Sequence, residues 1–194
     1  MNRTLVVDNY DSFTYNLVHL IEDILQDEVT VLRNDGVKPS DLELYHTVIF
    51  SPGPGLPEEA NHLIDLVQES MRLKMKVLGV CLGHQALGMA SGAKLKNLAT
   101  VHHGVDHPLH IIQQRPIFSE LPQKITIGRY HSWVLGEGLG KDWVVNCRDV
   151  DGEIMGIQHK EFPFFGVQFH PESVLSRDGK TILKNFLDLT PPTP

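Results

Sequence analysis

Four short apolar runs punctuate the first half of the chain: Thr4 to Val7, Glu28 to Leu32, Thr47 to Phe50 and Lys76 to Val80. Each is too short for a helix and suits a strand, Thr4 to Val7 a buried one. Between them lie stretches with apolar residues at helical spacing. Phe13 to Leu25 carries Leu17, Leu20, Ile21, Ile24 and Leu25, and Asn61 to Leu73 carries Leu63, Ile64, Leu66 and Val67. A further helix is expected to begin near Gly83. Such alternation implies parallel strands joined by right-handed crossovers.

The second half is richer in strand signals, at Leu109 to Gln113, Lys124 to Tyr130, Trp143 to Arg148, Glu153 to His159 and Phe164 to Phe169. A last helix is expected over Gly179 to Leu187. The fold class that follows is α/β, a mainly parallel open sheet flanked by helices and extended by antiparallel strands. No linker divides the 194 residues, so residues 1–190 are expected to form one domain, with a frayed tail over 191–194. A net charge of -7 gives no electrostatic footprint for nucleic acid. The N-terminal apolar run stops at Asp8, too early for a signal peptide or a membrane span. Two cysteines cannot build a disulfide framework, and a reducing, cytoplasmic setting is expected.

In open sheets of this kind, sites lie at the carboxyl ends of the strands. Two such ends carry suggestive residues, Ser51-Pro52-Gly53-Pro54-Gly55 and Gly79-Val80-Cys81-Leu82-Gly83-His84-Gln85. The second is Gly-x-Cys-x-Gly between a strand and a helix, the cysteine form of a nucleophile elbow. The glycines leave room for a sharp turn, and the helix N-terminus favours a thiolate. The N–H of Leu82 then points where an oxyanion would form. Taken alone, the motif also fits a buried structural cysteine between two turn glycines. The Pro-Gly segment likewise reads as a turn after a strand, although a turn can present N–H groups to an anion.

A cysteine nucleophile needs a base, and the base needs an orienter. Gly166-Val167-Gln168-Phe169-His170-Pro171-Glu172 supplies both. Residues two apart in extended backbone face the same way, so Glu172 can bond one imidazole nitrogen of His170 while the other faces Cys81.

With Asp8 to Thr14 and Arg129-Tyr130-His131-Ser132, these segments resemble the class I, triad-type glutamine amidotransferases, and among them the small subunits of anthranilate synthase and 4-amino-4-deoxychorismate synthase. The resemblance implies that Cys81 attacks the side-chain amide of glutamine. It implies that His170 moves the protons, that Glu172 holds the imidazole, and that Gly53 and Leu82 form the oxyanion hole. Gln85 and Ser132 would hold the amino-acid end of glutamine, with Gly53, Gly55 and Trp133 also lining its site. It implies no cofactor in this chain, a larger chorismate-binding synthase subunit as partner, and magnesium in that partner. The absence of a cysteine at Gly55 inclines the reading to anthranilate synthase; the aminodeoxychorismate partner, or both, is the alternative.

The Asp8 to Thr14 segment is expected to lie near that partner, its Tyr10 and Phe13 serving the interface or the core. Asp11 and Ser12 are candidate helix caps. Two positions depart from the common pattern: His102-His103-Gly104-Val105 replaces Met-His-Gly-Lys, and Trp133 replaces leucine. His102, His103, His107 and His110 match no standard metal spacing, so a turn between strands is expected there and no metal site. Cys147 alternates with Trp143 and Val145 and is expected to be core. The same elbow would serve a stand-alone hydrolase of γ-glutamyl or peptide bonds. A non-catalytic module on this fold is disfavoured by the intact Cys81, His170 and Glu172.

Overall fold

The computed structural model describes residues 3–98 and 104–190. The elements, in chain order, begin with β1 (Thr4–Asp8), α1 (Thr14–Leu25), β2 (Thr30–Arg33), β3 (Thr47–Phe50), α2 (Leu63–Arg72), β4 (Lys76–Val80) and α3 (Leu82–Ala90). They continue with β5 (Leu95–Asn97), β6 (Val105–Ile111), β7 (Lys124–Arg129), β8 (Trp133–Leu135), β9 (Trp143–Asp149), β10 (Ile154–His159), β11 (Phe164–Val167) and α4 (Gly179–Leu187). The main sheet runs β2-β1-β3-β4-β11-β10-β9-β6-β7, with β8 pairing β10 and β5. From β2 to β11 the strands are parallel, and beyond β11 they are antiparallel.

The two-residue period of the strands divides the core. Val6, Ile49 and Leu78 face α1 and α4, packing with Leu17, Ile21, Leu183 and Phe186. Leu5, Val7, Val48, Phe50 and Val77 face the other way, onto Leu63, Leu66 and Val67 of α2 and Leu82, Ala86 and Leu87 of α3. Parallel strands covered on both faces must be apolar at successive positions, which explains the unbroken apolar runs of the sequence.

Three expectations are corrected. Leu95–Asn97 and Trp133–Leu135 are strands that the sequence reading omitted. They are three residues each and pair with one another, too short for any period to show. The stretch through His107 and His110 is not a turn but strand β6. Pro108 is tolerated there because β6 pairs with β9 only from Leu109 onward, so at Pro108 it has a single strand neighbour, β7. Cys147 is fully buried as expected, but it packs in the opposite core layer from Trp143. Register shifts on either side of Gly156 break the two-residue alternation of the paired strand β9. His102, His103 and the tail 191–194 lie outside the described residues.

Two glycines let α3 start directly on the sheet. A Cβ at Gly79 would lie 2.5 Å from the carbonyl carbon of Gly83, and one at Gly83 would lie 2.5 Å from the Phe50 carbonyl oxygen. Both clashes are with backbone, so neither side can give way cheaply. Gly83→Ala is therefore expected to cost about 1–3 kcal/mol of stability in urea unfolding and to lower reactivity of the adjoining cysteine. An alanine variant as stable as the parent would show that the turn has room to spare.

Candidate active site

Cys81 is the residue between β4 and α3, with φ 52° and ψ −100°. A positive φ costs a non-glycine residue about 1–3 kcal/mol and persists only where surroundings impose it. Here its N–H donates to Val167 O at 2.9 Å, and its carbonyl accepts from Gln85 N at 3.0 Å, the first helical bond of α3. The side chain stands at the helix N-terminus and is 7% exposed. It opens on a cavity of about 190 Å³ lined by Gly53, Pro54, Gly55, Leu82, Gln85, Tyr130, His131, Ser132 and Trp133. Every residue expected from the sequence to hold glutamine thus lies around one cavity with the cysteine.

His170 and Glu172 follow β11, the strand beside β4. His170 Nδ1 and Glu172 Oε1 are 2.7 Å apart, with the carboxylate side chain wholly buried. Nε2 of His170 is buried without a hydrogen-bond partner among the described residues, and Cys81 is the other group acting on the ring. Burial works against a charge on this imidazole. Its interactions with Cys81 and Glu172 prevail and hold its pKa well above the ordinary histidine value. The ring is boxed by Tyr130, centroid distance 4.9 Å, and Phe13, 5.9 Å. Tyr130 is in turn within 3.0 Å of Ser173 Oγ through its hydroxyl.

The Asp8 to Thr14 segment has a role that the sequence reading left open. Asn9 is buried, donates its backbone N–H to Ser51 Oγ (2.9 Å) and donates from Nδ2 to Ser51 O (2.8 Å). Asn34 Nδ2 donates to Asn9 Oδ1 at 3.0 Å. This clamp holds the Ser51–Gly55 turn against the elbow: a Cβ at Gly53 would lie 2.6 Å from Leu82 Cδ2 and 2.8 Å from Asn9 O. Gly53 and Leu82 are therefore neighbours, as a two-donor anion site requires. Asp11 accepts from Phe13 N at 2.7 Å, whereas the α1 cap, Phe13, makes no side-chain cap bond. Phe13 packs on the site, and Tyr10 is 46% exposed, with its hydroxyl donating to Asp35 and Arg33 over its ring.

Gln85 does not merely line the cavity. Its Nε2 donates to Trp133 O at 2.9 Å, and His131 Nδ1 reaches the same carbonyl at 3.0 Å. A carbonyl only accepts, so the proton of His131 sits on Nδ1. Burial, helped by the charge of Arg129, drives the pKa of His131 to about 3. Burial does the same to His84, which lies wholly inside, with the Gly166 backbone opposing. Both are neutral at physiological pH.

A second cluster lies near the β7–β9 end. His107 Nε2 is 3.7 Å from Asp151 Oδ2 and 3.9 Å from Asp149 Oδ2. These three are the one set among the described residues with metal-binding geometry. Asp149 Oδ2 already accepts from the buried Arg129 at 2.6 Å, so a cation there would sit beside a guanidinium.

Comparison with known proteins gives a consistent result. Residues 5–189 match the family described as glutamine amidotransferase class-I. The chain is 43% identical to the bifunctional protein TrpGD of Thermotoga maritima over 97% of its own length, and spans 32% of that protein. It is 42% identical to anthranilate synthase component 2 of Thermus thermophilus, over 96% of this chain and 92% of that one. A solved glutamine amidotransferase from Thermotoga maritima superposes with a TM-score of 0.83 at 16% identity, covering 96% of each chain; at that identity the likeness shows the fold alone.

The two neutral histidines have a consequence for stability. Their folded pKa values lie below the unfolded value near 6.5, so the unfolded chain binds the extra protons as pH falls. Their contribution is complete above pH ~6.5 and is lost as pH drops toward 3. His170 is raised instead; its unfolded form gains its proton just below pH ~6.5, so it adds a small slope of opposite sign that fades by pH ~5. Urea unfolding is expected to lose about 2 kcal/mol per buried histidine between pH ~6.5 and ~5, and His84→Asn to remove about half of the total. A flat profile over that window would show that these rings accept protons in the folded state.

Proposed function

Because the chain belongs to the class I glutamine amidotransferase family, we propose that Cys81, His170 and Glu172 hydrolyse glutamine through a thioester and pass ammonia to a larger synthase subunit. The observation that carries this reading is the pairing of a strained cysteine elbow with an imidazole held by Glu172 at 2.7 Å and acted on by the same cysteine.

The proposed chemistry follows from the charges. A raised pKa keeps His170 as imidazolium at neutral pH, which balances a thiolate at Cys81. The sulfur attacks the side-chain carbonyl carbon of glutamine, and the carbonyl oxygen takes the negative charge between the N–H groups of Leu82 and Gly53. Collapse breaks the C–N bond as His170 gives its proton to departing ammonia. Neutral His170 then takes a proton from water, whose oxygen attacks the thioester. Collapse breaks the C–S bond, the sulfur leaves as thiolate beside the His170 imidazolium, and the new carboxylic acid gives its proton to solvent and departs as glutamate. Glu172 keeps the ring in one tautomer throughout, as the third member of such triads does. Gln85, Ser132, Gly55 and Trp133 line the space for the amino-acid end of glutamine.

The partner is proposed as the chorismate-using subunit of anthranilate synthase, on the strength of the Thermus thermophilus relative that this chain matches over nearly its whole length. Magnesium would be bound in that partner. Exposed apolar side chains near the site suit such a contact, with Val174 95% exposed two residues beyond Glu172 and Tyr10 at the start of the Asn9 clamp. Residues 1–190 are proposed to act as one amidotransferase domain. No helix among the described residues is long and apolar enough to cross a membrane, and both cysteines are free, which suits the proposed reducing, cytoplasmic setting.

Mixed with the large subunit of anthranilate synthase from the same source, chorismate, magnesium and glutamine, the protein is expected to support anthranilate formation, followed by fluorescence. Cys81→Ala should abolish the glutamine-dependent rate while leaving urea stability intact, and Glu172→Gln should lower it at least ~100-fold. Glutamate release surviving in Cys81→Ala would refute the nucleophile. No product from a large subunit still active on free ammonia would move the assignment to the aminodeoxychorismate partner.

A further inference from the structure

Gln168 is fully buried two residues before His170, and its Nε2 lies 3.6 Å from Cys81 Sγ, within hydrogen-bond reach of sulfur. Which end of this amide faces the sulfur decides what it does there. A donor N–H favours the thiolate, while an acceptor oxygen would oppose it.

Three linked contacts settle the orientation. The Trp133 carbonyl can only accept, so the end of Gln85 that reaches it at 2.9 Å must be the amino group. The second hydrogen of that same Nε2 points to Gln168 at 3.3 Å, so the Gln168 atom there must be the acceptor Oε1. That leaves the Gln168 amino group facing Cys81. The polarity of the chain Trp133 O, Gln85, Gln168, Cys81 is thus fixed from a backbone carbonyl that cannot be turned round. His131 donates to the same carbonyl and strengthens the anchor.

We propose that Gln168 is a built-in hydrogen-bond donor to the Cys81 sulfur, stabilising its thiolate independently of His170 and tying it to the Gln85–Trp133 wall of the cavity. The inference rests on the proposed role of Cys81 as nucleophile. It adds a fixed neutral donor to the sulfur's environment. The titratable groups nearby are His170, backed by Glu172, and the neutral His84 and His131. Because Gln168 carries no charge, it stabilises the thiolate at every pH, including above the range in which His170 loses its proton.

The test is the pH–rate profile of Cys81 alkylation by iodoacetamide without glutamine, read by mass spectrometry of the Cys81 peptide. Cys147, fully buried, is read separately as a control. In Gln168→Met, which removes the donor and keeps the bulk, the profile is expected to lie about one pH unit higher, slowing alkylation near neutrality about tenfold. In Gln168→Glu, which still accepts from Gln85 but turns an anionic oxygen toward the sulfur, it should lie higher still. The glutamate variant also keeps the test open if the methionine variant does not fold. Profiles in folded variants that coincide with the parent's would overturn the inference. Labelling of the parent by a chloroketone analogue of glutamine separates this from the underlying reading. A parent that labels at Cys81, with unshifted variant profiles, removes only the role of Gln168. A parent that resists labelling at Cys81 removes the nucleophile, and the inference falls with it.

Discussion

The turn from β4 into α3 has to place a cysteine at positive φ, on top of the sheet, at the first residue before a helix. Nothing local makes that conformation favourable. It is imposed by close packing at Gly79, Gly83 and Phe50, where no side chain fits, and by the bond from Cys81 N–H to the end of β11. The neighbouring strand that accepts this bond is the one that carries Gln168, His170 and Glu172 just beyond it. Strand pairing between β4 and β11, in parallel register from Val77–Phe164 to Val80–Val167, is thus what brings Cys81 and His170 together across about ninety residues of sequence.

Around this pair the site is largely buried, and burial weighs on which groups carry charge. Burial alone would keep His170 neutral, as it keeps His84 and His131. His170 differs because it has two partners favouring its protonated form, Glu172 and Cys81. His131 is pushed the other way by burial and by the nearby guanidinium of Arg129, and its one carbonyl acceptor, which favours the charged ring, is too weak to offset them. Three buried histidines therefore divide into one that favours its protonated form and two that stay neutral. Their partners draw the line between them; depth does not.

The Asp8 to Thr14 segment shows how a scaffold can be built from residues outside the lining of the Cys81 cavity. Asn9 ties the first strand's loop to Ser51, and Asn34 ties the second strand's loop to Asn9. These bonds stack three consecutive strand ends, β1, β2 and β3, into one rigid rim. That rim holds Gly53 in close contact with Leu82 at the start of α3.

The sequence alone determined the layered fold, because strands covered on both faces need continuous apolar runs and helices need a 3.6-residue period. It also determined the elbow at Cys81 and the pairing of His170 with Glu172, because the elbow spacing and the i, i+2 placement are local properties of the chain. The same two-residue period, carried one step back, places Gln168 on that face, a signal present in the sequence and passed over. Other features had no local signature. The three-residue strands β5 and β8 exist only by pairing, β5 with β8 and β8 also with β10, and Pro108 sits in a strand only because β9 stops short of it. Cys147 changes core layer through register shifts in the β9–β10 pairing. The orientation of the Gln85 and Gln168 amides, and the neutrality of His84 and His131, depend on which groups the fold buries together. Hydrogen-bond polarity and desolvation are set by neighbours far apart in the chain, and only the tertiary structure chooses those neighbours.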